Sequence, residues 1–288
     1  MDVLSIYSDT QILCVAIILG LLVGSFLNVV IYRTPVMMKR QWRAECHDFL
    51  EIEDTQPESK ISEKFNLVVP ASTCPKCQHK IRAWENIPVI SYLFLRGKCS
   101  NCKTPISLRY PAIELLTGLV SGLMIYTFGA TLAALFALFF CWMLIALIFI
   151  DLDEQLLPDN ITLPLLWLGI IANLFNSFTS LEASVIGAIF GYLTLWSIYW
   201  LFKIVTGKEG MGYGDFKLLA ALGAWSGWMM LPQIILFSSF IGLFFGIAQM
   251  LRKQQNAPFP FGPSLAIAGL IALLWGADIN HWYLNTGI

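Results

Sequence analysis

Long apolar segments alternate with short polar ones along most of the chain. Four segments approach the roughly 20 apolar residues that a membrane-spanning helix needs: 12–31, 131–150, 183–202 and 231–251. Four more apolar segments are shorter or contain glycine: 113–128, 161–176, 216–230 and 263–276. The pattern predicts an all-α polytopic membrane protein with about eight transmembrane helices.

The composition supports this fold class. Hydrophobic residues make up 57% of the chain and charged residues only 13%, and the mean hydropathy is +0.68. Such a balance excludes an ordinary soluble domain. The lipid bilayer is therefore an expected partner of most of the chain.

The distribution of Lys and Arg predicts the orientation in the membrane. With the N-terminus outside, the inner connections are 32–112, 151–160, 203–215 and 252–262. Of the 18 Lys and Arg residues, 17 lie in these connections, and Lys217 lies at the inner edge of the next span. The positive-inside rule predicts this asymmetry. No basic residue or cleavage pattern of a signal peptide precedes the first span, so we expect that span to be retained.

Two aspartates lie at the predicted inner ends of spans. Asp151 directly follows the apolar run 131–150, and Asp215 follows alternating glycines in the segment 210–214. A carboxylate at the membrane boundary is costly unless it is paired, solvated or used, so both are functional candidates. The glycines allow another backbone to approach, and we expect them to permit positive φ angles at the start of a helix.

The acidic residues after Asp151 have a simpler interpretation. Asp153, Glu154 and Asp159 are expected to be solvated loop charges. Asp159 or Asn160 is expected to cap the next helix.

One long hydrophilic segment follows the first span. Its first half, through Lys64, mixes acidic and basic residues and is expected to form a loop or a short helix. The segment divides the chain into a first transmembrane helix at 1–31, an insert at 32–112 and a helix bundle at 113–288.

The second half of the insert contains two C-x-x-C knuckles. Cys74 and Cys77 are separated from Cys99 and Cys102 by 21 residues. This spacing predicts a structural four-thiolate zinc site of ribbon type. A redox pair is the alternative, but two matched knuckles favour a metal that supplies folding energy to a small insert.

An aromatic and basic stretch, 81–97, lies between the knuckles and leads to Arg109 and Glu114. It is suited to a hairpin that covers the metal, and equally to a cleft for a polar small molecule. The residues alone leave both interpretations open.

These features together resemble the type IV prepilin peptidases over nearly the whole chain. The stretches that carry the resemblance are the two knuckles and residues 24–33, 84–92, 109–118, 151–159, 210–217 and 260–263. The resemblance implies a bifunctional enzyme of the bacterial inner membrane. Such an enzyme cuts the basic leader from type IV prepilins or pseudopilins and then methylates the new N-terminal amine with S-adenosylmethionine.

The resemblance also implies site residues. It makes Asp151 and Asp215 the protease pair, and two carboxylates that share a proton provide both a base for water and an acid for the leaving amine. Glu85 is a candidate contact for the basic leader, as is Glu114. The methyl-donor residues that the resemblance implies are Asn28, Arg33, Trp84, Asn86, Gly97, Arg109 and Glu114.

Three alternatives remain at this point. An aspartyl signal-peptide-type protease without methyl transfer fits the aspartate pair equally well. An ion-coupled secondary transporter would use two aspartates at the membrane edge, but it would not need the cysteine insert. A membrane-tethered zinc module for nucleic acid is disfavoured by the near balance of acids and bases in the insert, so we expect no nucleic-acid partner.

Overall fold

The computed structural model describes residues 8–50, 65–251 and 260–285, and it describes their side chains except at 248–251 and 284–285. The helices in these ranges are α1 (Asp9–Leu50), α2 (Ile90–Phe94), α3 (Arg109–Phe128), α4 (Leu132–Glu154), α5 (Asp159–Leu174), α6 (Leu181–Thr206), α7 (Tyr213–Ser226), α8 (Leu231–Leu251) and α9 (Gly262–Asn285). The β pairing described in them is limited to two isolated bridges. The predicted all-α class is confirmed.

Each predicted span coincides with a helix, but the helices differ in length. In the described part of the chain, six are long and apolar enough to cross a membrane. The other two predicted spans correspond to α5, with 16 residues, and α7, with 14 residues. At 1.5 Å per residue these reach about 24 Å and about 21 Å, less than the roughly 30 Å of hydrocarbon in a bilayer.

The chain divides into two compact units, residues 1–126 and 127–288. In the first unit, α1 and α3 pack through small residues on both helices. A Cβ atom built on Gly24 would lie 2.7 Å from the Cα of Glu114, and one built on Gly118 would lie 3.0 Å from the side chain of Leu21. Glycines at this contact let the two backbones approach closely.

The first helix is longer than the sequence predicted. Residues 32–50, expected to be a loop or a short helix, continue α1 through Pro35. This stretch is rich in good helix formers, and the side-chain amide of Gln41 donates to Glu45 one turn later at 2.8 Å. The remainder of that predicted loop, 51–64, lies outside the described residues.

The second unit is built around the short helix α7. Every residue of α7 from Asp215 to Trp225 except Lys217 is buried. Glycines of α6 allow this enclosure, because a Cβ atom on Gly191 would lie 2.6 Å from the carbonyl oxygen of Leu219. A short helix buried on all sides is held by its neighbours rather than by the bilayer.

The carbonyl oxygens at the C-terminal end of α7 accept hydrogen bonds from side chains of two other helices. Asn173 of α5 donates to the carbonyl oxygens of Ala224 at 2.8 Å and Trp225 at 3.2 Å. The hydroxyl of Ser184 on α6 also donates to the carbonyl oxygen of Ala224. Because backbone groups inside a bilayer need partners within the protein, these bonds allow α7 to end inside the bundle.

Candidate active site

Asp151 and Asp215 meet where one helix ends and others begin. Asp151 lies in the last turn of α4 and Asp215 in the first turn of α7, and both are buried, with exposures of 5% and 7%. The side chain of Leu157 lies against Gly214 and Gly262, which are next to the two carboxylates.

The carboxylate of Asp215 is held by the start of its own helix. Its Oδ2 accepts the backbone N–H of Gly212, the N-cap residue of α7, at 3.2 Å. A helix N-terminus stabilises negative charge, because its N–H groups are otherwise unpaired.

The glycines before Asp215 serve close packing. The expectation of positive φ at 210–214 is wrong, since the positive-φ glycines lie elsewhere and Gly212 has φ −82°. A Cβ atom on Gly214 would lie 2.7 Å from the Cβ of Leu157. A larger residue at this position would therefore push the connection between α4 and α5 away from α7.

Asp151 is held by a different helix. It lies at the C-terminal end of α4, where the helix dipole disfavours negative charge. Its Oδ2 accepts the backbone N–H of Gly262, the first residue of α9, at 3.0 Å. A Cβ atom on Gly262 would lie 2.6 Å from this oxygen, so only glycine allows the contact as it stands.

Gly262 is a functional candidate that the residue-by-residue reasoning did not single out. The only sequence signal was its place between Phe261 and Pro263 at the start of an apolar segment. Its partner is 111 positions away in the chain, so the local pattern could not reveal the contact.

The acidic residues after Asp151 do not share its environment. Asp153 and Glu154 are exposed, as expected, but they lie in the last turn of α4 and not in a loop. The predicted cap is wrong: the N-cap of α5 is Pro158, and the carboxylate of Asp159 instead pairs with Lys217 at 2.7 Å. An ion pair that is partly exposed contributes about 1 kcal/mol or less, but this one ties the start of α5 to α7 beside Asp215.

The four cysteines of the insert form one cluster. The sulfur atoms of Cys74, Cys77, Cys99 and Cys102 all lie within 4.8 Å of one another. Cys74 and Cys102 are 3.7 Å apart, and Cys77 and Cys99 are 3.9 Å apart. Four sulfurs placed tetrahedrally about 2.3 Å from one ion would be separated by about 3.8 Å, so the cluster fits a metal.

The two knuckles have matching backbones. Gln78 and Lys103, each directly after the second cysteine of its knuckle, both have φ +58°. The N–H of Cys74 donates to the carbonyl oxygen of His79, and the N–H of Cys99 donates to that of Thr104. Two equivalent turns that present four thiols to one point are typical of a metal-binding module rather than a single redox pair.

Three of the residues expected at the methyl-donor site have polar groups that form hydrogen bonds with backbone atoms of the same chain. The amide of Asn28 donates to the carbonyl oxygens of Gly24 and Tyr110, both at 3.2 Å. The guanidinium of Arg33 is buried and donates to two backbone carbonyls, at 2.8 Å and 2.6 Å. A carboxylate oxygen of Glu114 accepts a backbone N–H from the insert at 2.8 Å.

The other expected methyl-donor residues are placed differently. Trp84 is 54% exposed, Asn86 is exposed and Arg109 is half-buried. Gly97 has φ +66°, and a Cβ atom there would lie 2.7 Å from the hydroxyl of Tyr92. All seven lie in the first unit.

Comparison with known proteins identifies the class of protein as a bacterial membrane peptidase. The family described as Bacterial Peptidase A24 N-terminal domain matches residues 18–128, and the Type IV leader peptidase family matches residues 138–247. The chain belongs to the type IV leader peptidase family. This confirms the family that the sequence motifs indicated.

Several relatives are similar to the chain over nearly its full length. A prepilin leader peptidase/N-methyltransferase of Stutzerimonas stutzeri is 57% identical over 276 residues, which cover 95% of this chain and 94% of the relative. The Pseudomonas aeruginosa protein of that name is 56% identical, and the match covers 99% of this chain and 97% of the relative. The Dichelobacter nodosus protein of that name is 55% identical, with 92% of each covered. No solved structure matches the chain.

The contact between Asp151 and Gly262 gives a direct prediction for peptidase activity. The change Gly262→Ala should displace the carboxylate, because the added Cβ would lie 2.6 Å from its oxygen. Misplacement of a catalytic group by about 1 Å costs up to roughly 100-fold, so we expect at least about a tenfold loss of initial cleavage rate. The matched control is Gly246→Ala, since a Cβ there meets nothing within 4 Å. Equal rates for the two variants would contradict the proposed contact.

Proposed function

We propose that the chain is an inner-membrane aspartyl endopeptidase that removes the basic leader from type IV prepilins or pseudopilins and then methylates the new N-terminal amine with S-adenosylmethionine. The observation that carries the proposal is the buried pair Asp151 and Asp215. Each carboxylate accepts a hydrogen bond from a backbone N–H at the start of a helix. Relatives of 55–57% identity named for both reactions support it, and they disfavour the transporter and nucleic-acid alternatives.

The carboxylate pair can supply both proton transfers of peptide hydrolysis. The ionised member takes a proton from water as the water oxygen attacks the scissile carbonyl carbon. The protonated member gives its proton to the amide nitrogen as the C–N bond breaks, and the pair ends with one proton, as it began. The titration of such a pair belongs to both residues together.

The predicted orientation of the chain supports a substrate with a basic leader. If the N-terminus is outside, as the Lys and Arg asymmetry predicts, the end of α4 and the starts of α5, α7 and α9 face the cytoplasm. A basic leader would remain in the cytoplasm while the apolar stem of the substrate lies in the bilayer. The scissile bond would then lie at the depth of Asp151 and Asp215.

Methyl transfer would follow at the same face of the membrane. The new amine attacks the methyl carbon of the sulfonium donor, the carbon–sulfur bond breaks to release a thioether, and an amine proton passes to solvent. The proposed donor site lies on the insert at 32–112 and the inner ends of α1 and α3. Trp84 and Asn86 are the exposed members of the proposed set.

A zinc ion is the proposed metal of the cysteine cluster. Four thiolates complete a tetrahedral site and leave no position for a substrate, so the ion would have a structural role. It would join Cys74 and Cys77 to Cys99 and Cys102 across the insert. Metal binding would thereby supply folding free energy that the small insert otherwise lacks.

The protease assignment predicts a sharp contrast between neighbouring carboxylates. Asp151→Asn or Asp215→Asn should lower leader cleavage by about 10²- to 10⁴-fold, because each removes one half of the acid–base pair. The control Asp153→Asn, at an exposed position on the same turn, should change the rate by about twofold or less. Cleavage of a purified prepilin by each variant in detergent measures this. Substantial cleavage by either pair variant, with Asp153 essential instead, would reassign the site.

The metal assignment predicts one zinc ion per chain. Replacement of any of the four cysteines by serine should lower the zinc content and expose the insert to protease before the helices are affected. Cys141→Ser is the control, since this buried cysteine of α4 lies outside the cluster. Elemental analysis of the purified protein decides the question. A zinc content near zero, with all four thiols freely reactive in the native protein, would defeat the assignment.

A further inference from the structure

A strained turn lies in the middle of the insert. Val89 has φ 60° and ψ −48°, and the N–H of Ile90 donates to the carbonyl oxygen of Pro88 around it. This is a γ-turn of the positive-φ kind, which is rare and strained, and a β-branched residue is especially unfavourable there. Strain of this sort persists only where surrounding contacts impose it, and it is often found at functional positions.

The contact that imposes the turn comes from a membrane helix. A carboxylate oxygen of Glu114, in the second turn of α3, accepts the N–H of Val89 at 2.8 Å. Glu114 is only 8% exposed, and its Cα packs against Gly24 of α1. The position of its side chain is therefore constrained by the packing of α3 on α1.

A second carboxylate fixes the other end of the same segment. The side chain of Glu85 is 5% exposed and accepts the N–H of Arg82 at 2.8 Å. It also pairs at 3.2 Å with His79, which follows the first knuckle. Glu85 therefore connects the segment to the first knuckle.

The 3₁₀ turn Ala83–Asn86, which precedes the strained turn, presents exposed side chains. Trp84 and Asn86 flank Glu85 in this turn, and both are exposed. Both were expected to bind the methyl donor.

We infer that Glu114 is a positioning residue for methyl transfer: its carboxylate holds the strained turn at Val89 and thereby places the Trp84–Asn86 segment against the inner ends of α1 and α3. Glu114 then binds neither the methyl donor nor the basic leader. The inference rests on the proposed methyl-transfer function, which it deepens by assigning this role to a residue expected to contact the donor.

The two possible roles of Glu114 differ in what a substitution preserves. Positioning requires an oxygen that accepts the N–H of Val89, which Glu114→Gln keeps and Glu114→Met removes at similar volume. Contact with the cationic part of a donor requires the negative charge, which both variants remove. A third variant, Val89→Gly, relieves the strain, because glycine adopts positive φ without penalty.

The experiment uses the full-length protein in detergent, with already cleaved pilin and labelled S-adenosylmethionine. Loss of a hydrogen bond to a charged group changes an equilibrium constant by roughly tenfold or more. We therefore expect Glu114→Met to lower kcat for methylation by about that factor. Glu114→Gln should lower this kcat by about threefold or less, because the amide oxygen of the glutamine still accepts the N–H of Val89. When Val89→Gly is also present, Glu114→Met should lower kcat for methylation by a smaller factor. This is the result expected if the two residues act through the same contact.

Amide hydrogen exchange of residues 87–90, followed by mass spectrometry, measures the turn without any reaction. Glu114→Met should speed exchange there and Glu114→Gln should not, while the exposed Glu182→Met on α6 provides the control. An equal rise in KM for the donor in both Glu114 variants, with unchanged exchange at 87–90, would overturn the inference. Absence of methylation by the unmodified protein would defeat the proposed function instead, and the exchange result would still decide whether Glu114 holds the turn.

Discussion

Each buried carboxylate discussed above accepts a hydrogen bond from a backbone N–H group. Asp151, Asp215 and Glu114 are buried, the side chain of Glu85 is nearly so, and each of the four accepts a main-chain N–H at 2.8–3.2 Å. A hydrogen bond to a charged acceptor is worth about 1.5–3 kcal/mol. Such a bond offsets part of the cost of burial without neutralising the acid, so the carboxylates at the proposed protease site keep their capacity to exchange protons.

This constraint explains several features of the helix bundle. In the helix bundle the N–H groups left free for such bonds lie at the helix starts, and the donors to Asp151 and Asp215 come from the starts of α9 and α7. A helix that begins beside these carboxylates and stays inside the bundle can be short, as α7 is. Its far end then needs partners within the protein, which Asn173 and Ser184 provide. Glycine at 214 and 262 lets the connecting chain come close enough.

Much of the architecture could be predicted because it depends on local pattern. Each of the eight apolar runs coincides with a helix, and the spacing of the cysteines indicated one cluster. Asp151 and Asp215 stood out because charge at a membrane edge is costly. The pairing of Asp151 with Gly262, of Asp159 with Lys217 and of Glu114 with Val89 could not be predicted, since each joins residues far apart in sequence. The sequence also did not predict that α1 continues past residue 31, because a segment of mixed charge without apolar periodicity is typical of a loop or a short helix.

The central claim is that one chain cleaves a leader and then methylates the amine that cleavage releases. The most direct measurement is to incubate the detergent-solubilised protein with a prepilin and labelled S-adenosylmethionine, and to follow both products over time by mass spectrometry. The account predicts that mature pilin appears first and that the label accumulates only on its new N-terminal residue. Cleavage with no label on the mature pilin, or label on prepilin that still carries its leader, would contradict it.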